Sequence, residues 1–91
     1  MEFKEEKNRM VLLTDDGQEA GEMTWSQAGD DLIIIDHTFV DDAYRGHQYA
    51  QQLVAAGVEM AREKNLKVLP LCPFAKKEFA EKPEYGDVLR K

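Results

Sequence analysis

The strongest restriction on the fold comes from the middle of the chain, where an apolar run leads into a polar turn and then an amphipathic stretch. Residues 32–40 read Leu-Ile-Ile-Ile-Asp-His-Thr-Phe-Val and begin with four consecutive apolar side chains. A strand that is covered on one face alternates apolar and polar residues, whereas a strand covered on both faces is continuously apolar. The run therefore predicts a central strand that is covered on both sides of a sheet.

The amphipathic stretch after this strand predicts a helix from about Gly46 to Lys64. Its apolar residues follow the i, i+3, i+4, i+7 spacing of one helical face: Ala50, Leu53, Val54, Gly57, Val58 and Ala61. Residues 66–71 then form a short apolar strand. Because a strand, a crossover helix and a second strand in one sheet make a right-handed parallel unit, this segment predicts a parallel strand pair.

The first third of the chain predicts an antiparallel meander. Residues 9–14 form an apolar strand that stops at an Asp-Gly turn, and residues 20–26 alternate with Met23 and Trp25 on one face. A second helix opens at Pro73, a residue suited to the first helical position, and ends near Pro83. The predicted order is β-β-β-α-β-α, an α+β (mixed α/β) sandwich of one sheet and two or three helices. Its aromatic core residues are predicted to be Trp25, Phe39, Phe74 and Phe79.

Composition narrows the possible functions. A chain of 91 residues with 43% hydrophobic content predicts one packed domain, residues 1–91. The net charge of −6 argues against a nucleic-acid partner and is compatible with a cationic substrate such as an amine. One cysteine and two separated histidines predict neither a disulfide nor a metal site. With no apolar run of membrane-spanning length and no signal peptide, we expect no membrane partner and a cytoplasmic location.

The segment from His37 to Ala50 combines features that suit phosphate binding. It joins the end of the central strand to a polar turn, and then to Arg45 and Gly46 at the predicted helix start. A helix N-terminus presents unpaired N–H groups and a partial positive charge, both of which attract phosphate oxygens. Glycine permits a close backbone approach, and arginine adds a fixed charge. On local pattern alone, an exposed arginine beside a loop glycine is an equally open interpretation.

This segment resembles the acetyl-coenzyme A signature of the GNAT superfamily of N-acetyltransferases, (Gln/Arg)-x-x-Gly-x-(Gly/Ala). Residues 45–50, Arg-Gly-His-Gln-Tyr-Ala, match its first and last positions, whereas Gln48 replaces the middle glycine that normally gives the pyrophosphate room. Residues 37–40, 69–74 and 83–89 are similar to a compact GNAT-type subgroup that consists of the cofactor-binding core alone. The similarity extends over nearly the whole chain.

The resemblance implies a fold, a cofactor and a binding site. In the superfamily the pantetheine arm lies between two splayed parallel strands, so Thr38, Phe39 and Val40 would offer backbone groups and strand 66–71 would diverge. The pyrophosphate would be held by Arg45, Gly46, His47, Gln48, Tyr49 and Ala50. The partners implied are acetyl-CoA (coenzyme A) and an amine acceptor, either a small molecule or a protein side chain, bound by a monomer or weak homodimer.

Two residues are candidates for catalysis. Acetyl transfer to an amine requires a group that takes up the amine proton, and His37 could serve because imidazole exchanges protons near neutral pH. A half-buried, strand-orienting role for His37 is the alternative. Cys72 precedes the second helix, where a thiol gains thiolate character and could accept the acetyl group. The small subgroup carries a cysteine here that is suspected of a catalytic role, and the alternative is a small buried residue beside Phe74.

The sequence thus predicts an enzyme, an acetyl-coenzyme A-dependent N-acetyltransferase that acts on a primary amine. Two other functions stay open at this point. One is a non-catalytic acyl-coenzyme A-binding module, which the replacement of the signature glycine by Gln48 favours. The other is an interaction domain that has kept only the fold. Because the resemblance covers the cofactor core, it leaves the acceptor unidentified.

Overall fold

The computed structural model describes residues 1–90, which form one five-stranded sheet with two α-helices. The strands are β1 (Glu2–Glu6), β2 (Arg9–Leu13), β3 (Glu19–Gln27), β4 (Leu32–Val40) and β5 (Lys67–Pro70), and the helices are α1 (Tyr49–Glu63) and α2 (Pro73–Glu81). The strands lie in sequence order, with antiparallel pairing from β1 to β4 and parallel pairing between β4 and β5. The mixed sheet confirms the predicted α+β class and the parallel pair.

The sheet has one strand more than predicted, so the order begins with four strands instead of three. β1 reads Glu-Phe-Lys-Glu-Glu, with Phe3 as its one apolar residue, and such a segment carries little strand signal. Its position explains the composition, because charged side chains on an edge strand remain in solvent and hinder pairing with other chains. Pairing with β2, a tertiary contact, makes this segment a strand.

The helix α1 begins at Tyr49, three residues after the predicted start at Gly46. Gly46 and Gln48 have φ angles of 92° and 61°, in the left-handed region that a right-handed helix excludes. Residues 45–48 therefore form a turn that leads into the helix. Apolar spacing predicted the body of the helix correctly but did not locate this end.

The hydrophobic core lies between one face of the sheet and the helices. Its completely buried members include Leu12, Met23, Leu53 and Val54, and α2 contributes to the same cluster. Gly57 permits α1 to approach the sheet closely, since a Cβ there would lie 2.3 Å from the Cε atom of Met23. The two predicted core aromatics Trp25 and Phe79 are buried in this cluster: each is 6% exposed.

The second face of the sheet has no helix over it within residues 1–90, which corrects the prediction of cover on both sides. Ile33 and Ile35 are buried in the core, whereas Leu32 and Ile34 on the other face are only half-buried. Phe39, also predicted as core, is 45% exposed on the same face. We call this surface the open face of the sheet.

The C-terminal segment runs beside β5. The Val68 N–H donates to the Val88 carbonyl at 2.7 Å, and the Arg90 N–H donates to the Val68 carbonyl at 2.9 Å. Arg62 of α1 binds Asp87 through two hydrogen bonds of 2.8 and 2.9 Å. Neither helix of the described chain is long and apolar enough to cross a membrane.

Candidate active site

A β-bulge in β4 determines which side chains face the helices. Thr24 pairs with His37 and Trp25 pairs with Ile35, so Asp36 is an extra residue on β4. The bulge reverses the alternation of the strand. Beyond it, Thr38 lies opposite the fully buried Met23 and therefore faces the core, because directly paired residues share a face.

The two parallel strands separate at this bulge. β4 and β5 pair only from Leu32 to Ile35, and the N–H groups of Leu71 and Cys72 both donate to the Ile35 carbonyl, at 3.2 and 3.1 Å. The chain then turns into α2. Within residues 1–90, no strand pairs with residues 36–40 on that side. This edge of β4 is thus available to a ligand that pairs as an extended chain does.

An open pocket of about 340 Å³ lies where β4 ends and α1 begins. Of the nine residues predicted to hold the cofactor, eight line it: Thr38, Phe39, Val40, Arg45, Gly46, Gln48, Tyr49 and Ala50. Three further residues line the same pocket: Tyr44, Gln51 and Phe74. The pocket thus joins the unpaired edge of β4 to the N-terminus of α1.

His47 is the predicted cofactor residue that the structure does not bring to this pocket. It is exposed, and its ring lies 5.4 Å from the ring of Tyr49. Its carbonyl accepts a 3.3 Å hydrogen bond from the Gln52 side-chain amide. In this geometry His47 supports the turn through its backbone and is not part of the pocket lining.

The residue at the position of the signature glycine, Gln48, has a left-handed backbone conformation, which glycine adopts without steric cost. Gln48 has φ 61° and ψ 27°, and as N-cap of α1 it forms no side-chain capping hydrogen bond. The first N–H groups of the helix are consequently not satisfied by this residue. Gln48 lines the pocket, so these donors lie at its border.

Arg45 supplies the positive charge at the pocket. Its Nε lies 3.0 Å from the Asp42 carboxylate, and both side chains are largely exposed. An exposed ion pair of this kind contributes only about 0–1 kcal/mol. The guanidinium can therefore exchange Asp42 for a phosphate at small cost.

Cys72 is buried, with 7% exposure, at the N-cap position of α2. Its Sγ lies 3.7 Å from the Thr38 hydroxyl oxygen. Burial raises the pKa of the Cys72 thiol, but the nearby Ala75 N–H, the Thr38 hydroxyl, the Phe74 N–H and the Thr38 N–H stabilise the thiolate and outweigh this effect. The thiol pKa thus lies below its ordinary value, which favours the thiolate.

His37 occupies the open face, on the opposite side of β4 from Cys72. Its side chain is 52% exposed. Its ring stacks on Phe39 with centroids 6.1 Å apart, and its Nε2 lies 3.8 Å from a Glu22 carboxylate oxygen. The other Glu22 oxygen accepts a 3.0 Å hydrogen bond from Arg9. His37 thus has a carboxylate neighbour that can orient it.

A profile of the GCN5-related N-acetyl-transferase family matches residues 6–88, nearly the whole chain. The chain belongs to this family. A GCN5-like protein from Staphylococcus aureus, solved by NMR, is 35% identical with a TM-score of 0.78, and the match covers 98% of this chain and 87% of that one. The GNAT family N-acetyltransferase YhbS from Escherichia coli, solved in complex with CoA, is 27% identical with a TM-score of 0.67. That match covers 78% of this chain and 43% of YhbS.

The match to the curated relatives of this GNAT chain covers only part of their length. Protein NATD1 from chicken and from mouse is 31% identical over 61 residues, which are 67% of this chain and 56% of each relative. The aligned segment thus spans little more than half of their length. The activity of this chain therefore has to be argued from the site.

Four site residues of this GNAT chain escaped the sequence analysis. Tyr44 lies within the segment from His37 to Ala50 but was given no role, and Phe74 was predicted to be a core residue, whereas it is half-buried and lines the pocket. Gln51 belongs to the first turn of α1 and lies outside the apolar face from which the helix was predicted. Glu22 is near His37 only through the pairing of β3 with β4, a contact that local sequence cannot indicate.

Proposed function

We propose that this GNAT-family protein binds acetyl-coenzyme A and transfers its acetyl group to a primary amine. The observation that carries the proposal is the continuity of the pocket, which runs from the unpaired edge of β4 to Arg45 and the first N–H groups of α1. An amide-containing arm can pair with the strand edge, and a pyrophosphate suits the helix N-terminus beside an arginine. The CoA complex of YhbS supports the same ligand class.

The chain's own residues fit this ligand in two regions. The backbone of residues 38–40 accepts the extended arm as an added strand, and Phe74 and Tyr49 supply apolar surface along it. Gly46 has no heavy atom within 4 Å of the position a Cβ would take, so a phosphate can approach its backbone. Arg45 provides charge-assisted hydrogen bonds once it leaves Asp42.

Cys72 is the proposed acyl carrier. Its thiolate attacks the thioester carbonyl carbon, a bond forms from Sγ to that carbon, and coenzyme A leaves as a thiolate that takes a proton from solvent. The acceptor amine then attacks the S-acetyl group, and the bond to Sγ breaks. The amine proton passes to the released sulfur. The lowered thiol pKa and the contact of Sγ with a pocket residue, Thr38, support this route.

Direct attack of the amine on the cofactor is the second route, with His37 as the base. Its exposure on the open face and its Glu22 neighbour support this assignment. The amine would then approach from the face opposite α1, and its proton would pass to the imidazole. The two routes predict different behaviour in the absence of an acceptor.

Incubation with acetyl-coenzyme A alone tests the carrier route. We expect a burst of one free coenzyme A per chain, because acylation of Cys72 proceeds without an amine. Intact mass should increase by one acetyl group, and peptide mapping should place it on Cys72. Cys72→Ala should abolish both signals and stay folded, since a cavity this small costs only about 1 kcal/mol.

The matched variant for this experiment is His37→Gln, which removes the base and keeps the thiol. If Cys72 is the acyl carrier, His37→Gln retains the burst of coenzyme A. If the amine attacks the cofactor directly, wild type shows no burst and Cys72→Ala keeps most of its turnover. An acetyl group that remains in Cys72→Ala contradicts the carrier assignment. Binding without burst or amide product for any amine offered would identify an acyl-coenzyme A-binding module, the alternative that Gln48 favours.

A further inference from the structure

The hydroxyl of Thr38 connects the pocket to the thiol. Thr38 lines the pocket, and its Oγ1 lies 3.7 Å from Cys72 Sγ although 34 residues separate the two in sequence. Cys72 itself is not part of the lining. A ligand in the pocket therefore contacts the residue whose hydroxyl also lies beside the sulfur.

The fold holds this hydroxyl in place. Thr38 follows the bulge at Asp36, which turns it to the core face, and it lies opposite Met23, whose side chain is completely buried. A β-branched side chain in a strand has few χ1 rotamers, so its hydroxyl has a restricted set of directions. The groups that face the sulfur are the hydroxyl and the backbone N–H of Thr38 from β4, and the backbone N–H groups of Phe74 and Ala75 from α2.

We propose that Thr38 is a positioning residue whose hydroxyl donates a hydrogen bond to the Cys72 thiolate and holds the sulfur toward the pocket. The inference rests on the proposed role of Cys72 as acyl carrier. Thr38 keeps its proton throughout acyl transfer: it stabilises the sulfur anion before attack and is released when the new carbon–sulfur bond removes the negative charge. The two helix N–H groups are backbone donors, so Thr38 is the donor that mutation can remove.

The test measures the reactivity of the thiol directly. Cys72 is the one cysteine of the chain, so alkylation by iodoacetamide reports on it without interference. Thr38→Val keeps the shape of the side chain and removes the hydroxyl. We expect alkylation near neutral pH to slow by about tenfold, because a hydrogen bond to a charged group is lost. The pH profile of alkylation should move to higher pH.

Two variants serve as controls. Thr38→Ser restores a hydroxyl and should recover most of the wild-type rate. Thr24→Val makes the same change on the neighbouring strand, at the position paired with His37, and should leave the alkylation profile unchanged. Melting temperatures establish that each variant is folded, and Thr38→Ala replaces Thr38→Val if the valine variant is unstable.

The results separate this inference from the proposed function. An unchanged alkylation profile in Thr38→Val overturns the role of Thr38, even if wild type shows the coenzyme A burst. If alkylation is slower in Thr38→Val but wild type shows no burst, the hydrogen bond from Thr38 to the thiol is supported and the carrier route is contradicted. A slowed profile together with a slowed burst supports both. Equal slowing in Thr24→Val would show a general effect of valine on the sheet and would also overturn the inference.

Discussion

Gln48 occupies the position at which the family signature has glycine. Its backbone adopts the left-handed conformation. A left-handed conformation costs a non-glycine residue roughly 1–2 kcal/mol, while glycine itself loses about 0.5–1 kcal/mol of backbone entropy on folding. Since Gln48 has φ 61° and borders the pocket, its side chain also occupies space beside the first turn of α1. The departure from the signature therefore affects both stability and ligand access.

We predict that Gln48→Gly tightens coenzyme A binding by a few-fold and raises the unfolding free energy by up to about 1 kcal/mol. The affinity increases because the pyrophosphate can approach the backbone at residue 48. Calorimetric titration with coenzyme A and urea unfolding would measure the two effects. Asn65→Gly is the matched control, because Asn65 has φ 57° near the far end of α1 and does not line the pocket. Weaker binding by Gln48→Gly would instead assign the glutamine side chain to the ligand.

At the scale of elements, the C-terminal segment is joined to α1 by charged groups. Arg62 binds the Asp87 carboxylate and donates a 2.6 Å hydrogen bond to the Glu84 carbonyl, and Lys67 donates to the Asp87 carbonyl at 2.5 Å. Hydrogen bonding to Arg62 lowers the pKa of Asp87 below its ordinary value. The segment beside β5 thus depends on an ionised carboxylate.

We predict that this connection is lost in acid. The folded-state pKa of Asp87 is below the unfolded value, so its contribution is complete above the unfolded pKa of about 4 and disappears as pH falls through the folded pKa. Urea unfolding at pH 7 and near pH 3 should show a smaller acid-induced loss of unfolding free energy for Asp87→Asn than for wild type. Asp30→Asn, at a carboxylate that forms no ion pair within residues 1–90, should behave as wild type does. Equal losses in all three proteins would contradict the prediction.

At the scale of the whole molecule, a chain of 91 residues buries a limited area and should respond measurably to ligand binding. At a concentration of about 100 times Kd, a ligand that binds only the folded state adds about 2.7 kcal/mol to the unfolding free energy. Each added kcal/mol raises the melting temperature of a chain this size by about 4–8 °C. We predict such a rise with acetyl-coenzyme A. A melting temperature unchanged by millimolar ligand would favour an interaction domain.

The same thermal-shift measurement tests whether the turn at Arg45 binds the pyrophosphate. Arg45→Glu should remove most of the thermal shift while leaving the melting temperature of the free protein nearly unchanged, because Arg45 is exposed. Lys7→Glu makes the same charge change beside Met60 and Lys64, near the other end of α1, and should retain the full shift. A full shift in Arg45→Glu would contradict the assignment of the pyrophosphate to this turn.

Local sequence was sufficient to predict those elements whose bounds depend on the pattern of neighbouring residues. The bounds of β4, the body of α1 and the start of α2 at Pro73 follow from apolar spacing and from the conformational preference of proline. Eight of the residues that line the pocket were also predicted, because they are close together in sequence at the junction of a strand and a helix. Family resemblance added their roles, which remain predictions.

Long-range pairing was responsible for the features that the sequence analysis missed. β1 is a strand because β2 lies beside it, and the open face is exposed because no helix within residues 1–90 covers it. The bulge at Asp36 sends His37 to one face and Thr38 to the other, and a one-residue change of register is invisible in composition or periodicity. The contact between Thr38 and Cys72 follows from that register. Side-chain spacing along the chain specifies which elements form, whereas the pairing of strands specifies which reactive groups meet.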